Sequence, residues 1–157
     1  MLILIVEDEF LISEYLRAIL EGGGHRVIAT FDADEAVKML ERVRDIQLVI
    51  TDINMPGSMD GLRLAAAIRD RRPPIHLIVV TGFTPPNKSE LPSDSLFIPK
   101  PYGASEILSA VQHFQYNRES YDNGELRQLP ALSAPGLRRR VAAGFHLSVA
   151  MTQFTGQ

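Results

Sequence analysis

Five short runs of apolar and β-branched residues recur along the chain: Leu2–Val6, Arg26–Thr30, Ile46–Thr51, Ile75–Val80 and Ser95–Ile98. The first, third and fourth runs are apolar at nearly every position. Such continuous runs are typical of strands buried on both faces of a sheet, because a half-exposed strand would alternate apolar with polar residues. The pattern therefore predicts five strands, three of them in the interior of a sheet.

Segments with helical periodicity lie between these runs. The first covers Phe10 to Leu20 and is followed by Gly22-Gly23-Gly24, which ends it because glycine favours the helix C-terminus. Asp32 and Asp60 are placed to cap the next two helices, and Ser105 to Phe114 gives the last one. The apolar face of the first helix is predicted to consist of Leu11, Tyr15, Leu16, Ile19 and Leu20.

Strands that alternate with helices predict an α/β fold, with a parallel sheet covered on both faces by right-handed crossovers. The stretch between the fourth and fifth strands departs from this alternation. It contains Pro85, Pro86 and Pro92, which lack backbone donors and leave room for a single helical turn. We expect the fourth helix to be short or absent.

The character of the sequence changes near residue 117, so we predict a domain over 1–116 and a C-terminal tail over 117–157. Within the tail, Phe145 to Met151 alternates apolar with polar residues, which favours a strand, although a helical arrangement stays open. Two alternatives stay open for the tail: an extra strand or a dimerisation or interaction segment, and a poorly ordered tail. Arg138-Arg139-Arg140 is interpreted as a solvated run rather than a nucleic-acid patch.

The composition narrows the functional classes. Apolar residues make up 45% of the 157 residues and charged residues 22%, which suits one packed domain with an appendage. The net charge of −3 gives no reason to expect nonspecific nucleic-acid binding. The absence of cysteine excludes disulfides, thiolate zinc sites and cysteine nucleophiles. No stretch reaches the roughly 18 apolar residues of a membrane span, so a cytoplasmic location is expected by default.

Acidic residues stand at the ends of two predicted strands. Glu7 and Asp8 follow the first strand, and Asp52 follows the third. Neighbouring parallel strands end at the same edge of a sheet, so three carboxyl groups are expected to meet there. They repel one another unless a cation lies among them, and carboxylate oxygens suit a hard divalent metal such as Mg²⁺.

Thr81 and Lys100 extend this cluster, since Thr81 ends the fourth strand and Lys100 follows the fifth. Asp52 is central and has the chemistry of a nucleophile toward phosphorus. Phosphoryl transfer needs mainly positioning and charge neutralisation. Mg²⁺ would neutralise one side of the transferring group and the Lys100 ammonium the other, while the Thr81 hydroxyl offers a hydrogen bond. The set therefore predicts phosphate chemistry at Asp52.

Four motifs at strand ends make residues 1–116 resemble the receiver domain of two-component response regulators. They are Val6-Glu7-Asp8-Glu9, Thr51-Asp52-Ile53-Asn54-Met55-Pro56-Gly57, Val80-Thr81-Gly82 and Pro99-Lys100-Pro101-Tyr102. The resemblance implies a flavodoxin-like, doubly wound sheet of five parallel strands in the order 2-1-3-4-5. It also implies a signalling switch that accepts a phosphoryl group on Asp52 from a sensor histidine kinase or a histidine phosphotransferase.

The resemblance further implies roles for single residues. The implied Mg²⁺ ligands, with no other cofactor, are Glu7, Asp8, Asp52 and the backbone carbonyl of Asn54. Thr81 would move toward the phosphoryl group and Phe97 would follow as the switch aromatic. Lys100-Pro101 is expected to be a cis peptide bond. Output would pass to a downstream protein partner or through a homodimer, with no nucleic acid and no membrane involved.

One motif departs from the commoner family pattern, because Gly82 stands where alanine is more frequent. Thr81-Gly82-Phe83 resembles a bacterial subgroup, often single-domain, whose partners are HWE-type kinases. The missing side chain should leave the phosphoryl group more open to water. Phe97 lacks a tyrosine hydroxyl, so its switching is expected to be a change of packing. We expect a stand-alone receiver, not an enzyme, that catalyses only its own phosphorylation and dephosphorylation.

Three other functions stay open. An aspartate-nucleophile, Mg²⁺-dependent phosphatase would use the same kind of acid, although its nucleophile normally follows the first strand and Asp52 follows the third. A DNA-binding response regulator would use the arginines of the tail. A receiver fold that does not use phosphate would have no need of the full set of site residues.

Overall fold

The computed structural model describes residues 1–72, 74–82, 85–87, 89–122 and 138–139. Its strands are β1 (Leu2–Val6), β2 (Arg26–Thr30), β3 (Leu48–Asp52), β4 (His76–Thr81), β5 (Ser95–Pro99) and β6 (Arg138–Arg139). Its helices are α1 (Phe10–Gly22), α2 (Ala33–Arg42), α3 (Gly61–Arg71) and α4 (Ala104–Asp122). Strands alternate with helices as the sequence predicts, except between β4 and β5.

The first five strands form a parallel sheet in the order β2-β1-β3-β4-β5, which confirms the predicted flavodoxin-like topology. β6 adds two residues antiparallel to β5, where Arg138 pairs with Phe97 and Arg139 with Leu96. The strand order reverses at β1, which has β2 on one side and β3 on the other. Ligands of such sheets bind beyond the carboxyl ends of the strands at this switch point.

Local polar contacts fix where the helices begin. Asp32 accepts a hydrogen bond from the backbone N–H of Glu35 at 2.7 Å, and Asp60 accepts one from Arg63 at 2.8 Å. Both contacts confirm the predicted N-caps. At the start of α4, the Glu106 carboxylate accepts the backbone N–H of Gly103 at 2.9 Å, which is half of a capping box.

The core consists of two layers, because successive residues of each strand face opposite sides of the sheet. Leu4 and Val49 pack with Leu64 on the side of α2 and α3. Ile5 and Ile50 pack on the side of α1 and α4. β1 and β3 are buried along their full length, which confirms the prediction made from their continuous apolar runs.

The connection between β4 and β5 has no helix among its described residues, 82, 85–87 and 89–94, as the prolines predict. We call residues 82–94 the β4–β5 segment. Leu91 is 9% exposed and belongs to the same core layer as Phe97. Among the described residues of this segment, Leu91 lies against the sheet in a place where an amphipathic helix would otherwise present a row of apolar side chains.

The sequence prediction for α1 was wrong in one respect. Leu11 is 80% exposed and Tyr15 is 47% exposed, whereas the buried stripe runs through Ser13, Leu16 and Leu20. A prediction made from apolar residues alone does not identify a buried serine. The predicted face therefore included Leu11 and Tyr15, which are exposed.

The C-terminal part of the chain also differs from expectation. α4 runs on to Asp122, beyond the predicted end at Phe114, and Arg138 and Arg139 form the two-residue strand β6. The alternating segment from Phe145 to Met151 lies outside the described residues, as does Phe83. No helix in the described part of the chain is long and apolar enough to cross a membrane.

Candidate functional site

The carboxyl ends of β1, β3, β4 and β5 bring together the five charged or hydroxyl side chains that the sequence analysis selected. Glu7 and Asp8 follow β1, Asp52 is the last residue of β3, Thr81 is the last of β4, and Lys100 follows β5. We call this group the site edge. A backbone hydrogen bond of 2.8 Å from the Lys100 N–H to the Thr81 carbonyl ties the ends of β4 and β5 together.

An ion-pair triad forms the floor of the site. The Lys100 ammonium nitrogen Nζ lies 2.8 Å from Glu7 Oε2 and 2.6 Å from Asp52 Oδ2. Both carboxylates are almost completely buried, and the lysine is mostly buried. Buried charges are stable only when they are paired and hydrogen-bonded, so each member of the triad depends on the others.

The environment shifts the pKa values of Glu7, Lys100 and the neighbouring Tyr102. Burial raises the pKa of Glu7, and the bonded Lys100 ammonium opposes that rise. Burial works against the charge of Lys100, but its hydrogen bonds to Asp52 and Glu7 and their negative charges outweigh it and raise its pKa. Burial also raises the pKa of Tyr102, with the charges of Glu7 and Asp52 adding to the effect. The lysine therefore stays charged at neutral pH.

The acids fit a divalent metal ion. Glu7, Asp8 and Asp52 each offer a carboxylate oxygen, and these oxygens lie within 4.8 Å of one another. Asp8 is exposed, in contrast to the other two, so the cluster opens to solvent on its side. Three carboxylates and one ammonium sum to −2 (−3 + 1), which a divalent cation would balance. An all-oxygen donor set with an open side suits Mg²⁺, which keeps several of its waters.

A second set of contacts reaches Asp52 from the other side. The backbone N–H of Asn54 donates to Asp52 Oδ1 at 3.1 Å, so Asn54 and Lys100 bind different oxygens of the carboxylate. The side-chain amide of Asn54 donates to Thr81 Oγ1 at 2.8 Å. Sequence reasoning selected Asn54 for its backbone carbonyl and gave no role to its side chain.

The remaining selected residues lie on β5 and in the loops at the ends of β4 and β5. Phe97 is buried on β5 in the core layer that contains Leu91. The Lys100-Pro101 bond is cis, as expected. A Cβ atom added at Gly82 would lie 3.6 Å from Cβ of Lys100, which is an ordinary contact distance, so a methyl group fits beside the lysine.

Two features of the site were missed by sequence reasoning. A Cβ atom at Gly61 would overlap the carbonyl oxygen of Asp52 and lie 2.8 Å from Thr51 Oγ1, so α3 can start this close to β3 only with glycine there. A glycine directly after the N-cap Asp60 was the available signal, because glycine is a poor helix former. Asp34 also accepts hydrogen bonds from the Ser58 hydroxyl (2.6 Å) and backbone N–H (3.4 Å), which no sequence pattern indicates.

Two bacterial regulatory proteins are similar in sequence to this chain, one over about half of it and the other over nearly all of it. The response regulator protein FleR of Pseudomonas aeruginosa is 40% identical over 81 residues, which is 52% of this chain and 17% of FleR. The transcriptional regulatory protein CpxR of Escherichia coli is 26% identical over 164 residues, covering 98% of this chain and 69% of CpxR. The chain thus spans less than a fifth of the length of FleR.

Solved structures and a family model agree with these relatives. The receiver domain protein (CheY-like) from Methanospirillum hungatei superposes with a TM-score of 0.68 at 27% identity, covering 76% of this chain and 97% of that one. The family model for the response regulator receiver domain matches residues 3–112, which include every residue of the site edge. The chain therefore belongs to the response regulator receiver domain family.

Proposed function

We propose that this protein is a phosphorylation-dependent signalling switch, in which Asp52 accepts a phosphoryl group from a histidine kinase or a histidine phosphotransferase. The observation that supports this most strongly is the Lys100 ammonium, which holds one oxygen of Asp52 at 2.6 Å. Asp52 is also nearly buried and belongs to a cluster of carboxylates that fits a divalent metal ion. A nucleophile with its counter-charges already in place needs little reorganisation to react.

The reaction follows from these contacts. A carboxylate oxygen of Asp52 forms the new bond to phosphorus while the P–N bond of the phosphohistidine breaks. The electron pair stays on the histidine nitrogen, which then takes up a proton. Mg²⁺, when bound by Glu7, Asp8, Asp52 and the Asn54 carbonyl, supplies neutralisation of the phosphoryl oxygens. Lys100 neutralises the opposite side, and Thr81 donates its hydroxyl proton to a phosphoryl oxygen.

Exposed apolar side chains beside the site support docking of a protein phosphodonor. Phe10 is 61% exposed at the start of α1, immediately after the acidic motif, and Leu11 and Tyr15 extend the same exposed surface. Large exposed apolar groups near one another mark contact surfaces for proteins. We propose that the partner is a kinase of the HWE type, in line with the resemblance of Thr81-Gly82-Phe83 to that subgroup.

The output is proposed to pass through protein contacts or a homodimer near β5. A cleft of about 380 Å³ lies between Asn54, next to the phosphoacceptor, and Pro85, Pro86 and Glu90 of the β4–β5 segment. Asn54, which bonds to Thr81, lines this cleft together with a surface that has no helix among its described residues. A change at Thr81 could therefore reach the surface over a short distance, which is what a bistable switch requires.

The test is intact-mass measurement after incubation with acetyl phosphate and Mg²⁺. The wild-type chain is expected to gain the mass of one phosphoryl group, as acetate leaves, and Asp52→Asn is expected to gain none. Asp45→Asn, on a different loop, is the matched control and should label like wild type. Unmodified wild-type protein under conditions that label another receiver domain would overturn the proposal. Steady turnover of p-nitrophenyl phosphate would favour a phosphatase instead.

A second candidate function is a DNA-binding regulator, because the match to CpxR extends over 98% of this chain, including the tail. CpxR is named a transcriptional regulatory protein. Arg138-Arg139-Arg140 would then contact phosphates. Salt-dependent binding to duplex DNA that is lost in Arg138→Ala/Arg139→Ala/Arg140→Ala would support this candidate. The absence of such binding would leave protein contacts as the output.

A further inference from the structure

Asn54 connects two groups that the phosphorylation reaction uses, one through its backbone and the other through its side chain. Its backbone N–H donates to Asp52 Oδ1 at 3.1 Å, and its side-chain nitrogen Nδ2 donates to Thr81 Oγ1 at 2.8 Å. Asp52 and Thr81 belong to adjacent strands, and both are nearly buried. One residue of the β3–α3 loop therefore connects the phosphoacceptor with the hydroxyl that is expected to meet the phosphoryl group.

Backbone hydrogen bonds of the preceding residue, Ile53, hold Asn54 in place. The backbone N–H of Ile53 donates to the Val80 carbonyl at 3.0 Å, and the Gly61 N–H donates to the Ile53 carbonyl at 3.0 Å. These bonds tie the start of the loop to β4 on one side and to the start of α3 on the other. The amide of Asn54 thus approaches Thr81 from a backbone that is held at the preceding residue.

The direction of the hydrogen bond has a chemical consequence. A hydroxyl group has one proton to donate and two lone pairs that accept, whereas the NH₂ of asparagine only donates. Thr81 Oγ1 is therefore the acceptor toward Asn54, and the hydroxyl can give its proton to a phosphoryl oxygen without breaking that bond. Donation into one lone pair also polarises the hydroxyl and strengthens the hydrogen bond that it donates.

We infer that the Asn54 side chain is a positioning residue for phosphoryl transfer, which orients the Thr81 hydroxyl as a donor toward the phosphoryl group. This inference rests on the proposed function. It concerns the side chain alone and is separate from the backbone carbonyl of Asn54, which is a proposed Mg²⁺ ligand. Asn54→Ala removes the amide and keeps the carbonyl, so the two roles can be tested separately.

The test is a double-mutant cycle of Asn54→Ala and Thr81→Val, which removes the hydroxyl and preserves the shape of the side chain. For each variant, the rate constant of labelling at saturating acetyl phosphate and the Mg²⁺ concentration for half-maximal rate are measured. Each single variant is expected to label about fivefold more slowly, the range for loss of one hydrogen bond. The double variant is expected to be about fivefold slower as well, because both changes break the same hydrogen bond between Asn54 and Thr81.

Three outcomes would overturn the inference. Independent effects would multiply to about 25-fold in the double variant. An unchanged or faster rate for Asn54→Ala would mean that the amide does not assist transfer. If the Mg²⁺ concentration for half-maximal rate rises in parallel with the loss of rate, the effect comes from a disturbed β3–α3 loop and not from the lost amide. Unlabelled wild-type protein would overturn the proposed function and this inference together, whereas the first three outcomes leave the proposed function intact.

A measurement without phosphorylation checks the bond itself. In the folded, unmodified protein, the NMR resonances of the Asn54 side-chain NH₂ are expected to shift, and its protons to exchange faster, in Thr81→Val. Resonances that are identical in wild type and Thr81→Val would contradict the inference independently of any phosphodonor. Thermal unfolding of each variant identifies any that fails to fold.

Discussion

The site edge and the β4–β5 segment adjoin each other at Thr81 and Gly82, yet they are built in opposite ways. At the site edge, Glu7, Asp52 and Lys100 lie at the ends of three strands, and the Lys100 ammonium bonds to both carboxylates within 2.8 Å. The β4–β5 segment has prolines and no helix in its described part, and Leu91 is the residue there that joins the core. The reactive groups thus lie at the ends of the strands, and the connection beside them has no helix among its described residues.

This difference assigns separate tasks to the two regions. Phosphoryl transfer requires groups that are held in place before the reaction, which strand ends and buried ion pairs provide. A switch surface requires two arrangements of similar free energy, which a segment without a helix among its described residues can adopt. The account therefore predicts that substitutions at the site edge are costly, and that substitutions in the β4–β5 segment change the lifetime or transmission of the signal.

The largest expected effect comes from Gly61→Ala. The added Cβ would overlap the Asp52 carbonyl, so α3 must shift away from β3. We expect the free energy of unfolding to fall by about 3 kcal/mol or more, as for overpacked cores. Gly22→Ala is the matched control, because a Cβ there meets no atom within 4 Å. Chemical denaturation measures the free energy of unfolding of both variants. If the two variants are equally stable, the site edge is not rigid.

Lys100→Met should be the next most costly change. It leaves the buried carboxylates of Glu7 and Asp52 without the ammonium that bonds both of them, at a cost of about 3 kcal/mol. Mg²⁺ should recover part of this loss, since ligands that bind the folded state stabilise it. Lys38→Met, at an exposed position of α2, is the control. Chemical denaturation with and without Mg²⁺ measures both effects. If the variant is as stable as wild type without the metal, Lys100 does not stabilise the two buried carboxylates.

Leu91→Ala tests the β4–β5 segment. Because Leu91 is 9% exposed and packs in the core layer of Phe97, its truncation should cost about 2 kcal/mol. The labelling rate with acetyl phosphate should stay within about twofold of wild type, because the triad is untouched. Leu11→Ala, at 80% exposure, is the control for stability. A large loss of labelling rate in Leu91→Ala would show that the two regions are not separable.

Gly82→Ala should have the smallest effect on stability, below about 1 kcal/mol, because the new methyl group meets Lys100 only at ordinary contact distance. The methyl group narrows access of water to the phosphoryl group. We expect the phosphoryl group to persist several-fold longer, with labelling little changed. The decay of the labelled mass after removal of phosphodonor measures this lifetime. A lifetime equal to or shorter than that of wild type would show that Gly82 does not control access of water.

Much of the site edge could be predicted from sequence because its residues are tied to strand ends. Continuous apolar runs identified β1 and β3, and the end of a parallel strand determines which edge Asp8 and Asp52 occupy. Asp32 and Asp60 were recognised as N-caps for an equally local reason. These inferences needed only spacing along the chain.

The parts that escaped prediction depend on distances through space. The amide of Asn54 reaches Thr81, 27 residues away, and Asp34 reaches Ser58, 24 residues away, across loops whose paths no periodicity describes. The exposure of Leu11 depends on how α1 is rotated on the sheet, with Ser13 in the buried stripe. In the β4–β5 segment the prolines excluded a long helix but did not indicate that Leu91 joins the core.

The central claim is that Asp52 carries the phosphoryl group. Borohydride reduces an aspartyl phosphate to homoserine, so the modified residue can be located by mass spectrometry of peptides after labelling with acetyl phosphate and Mg²⁺. The account predicts homoserine at position 52 in wild-type protein and none when Mg²⁺ is withheld. An unreduced Asp52 in labelled protein, or homoserine at another position such as Asp8, would contradict it.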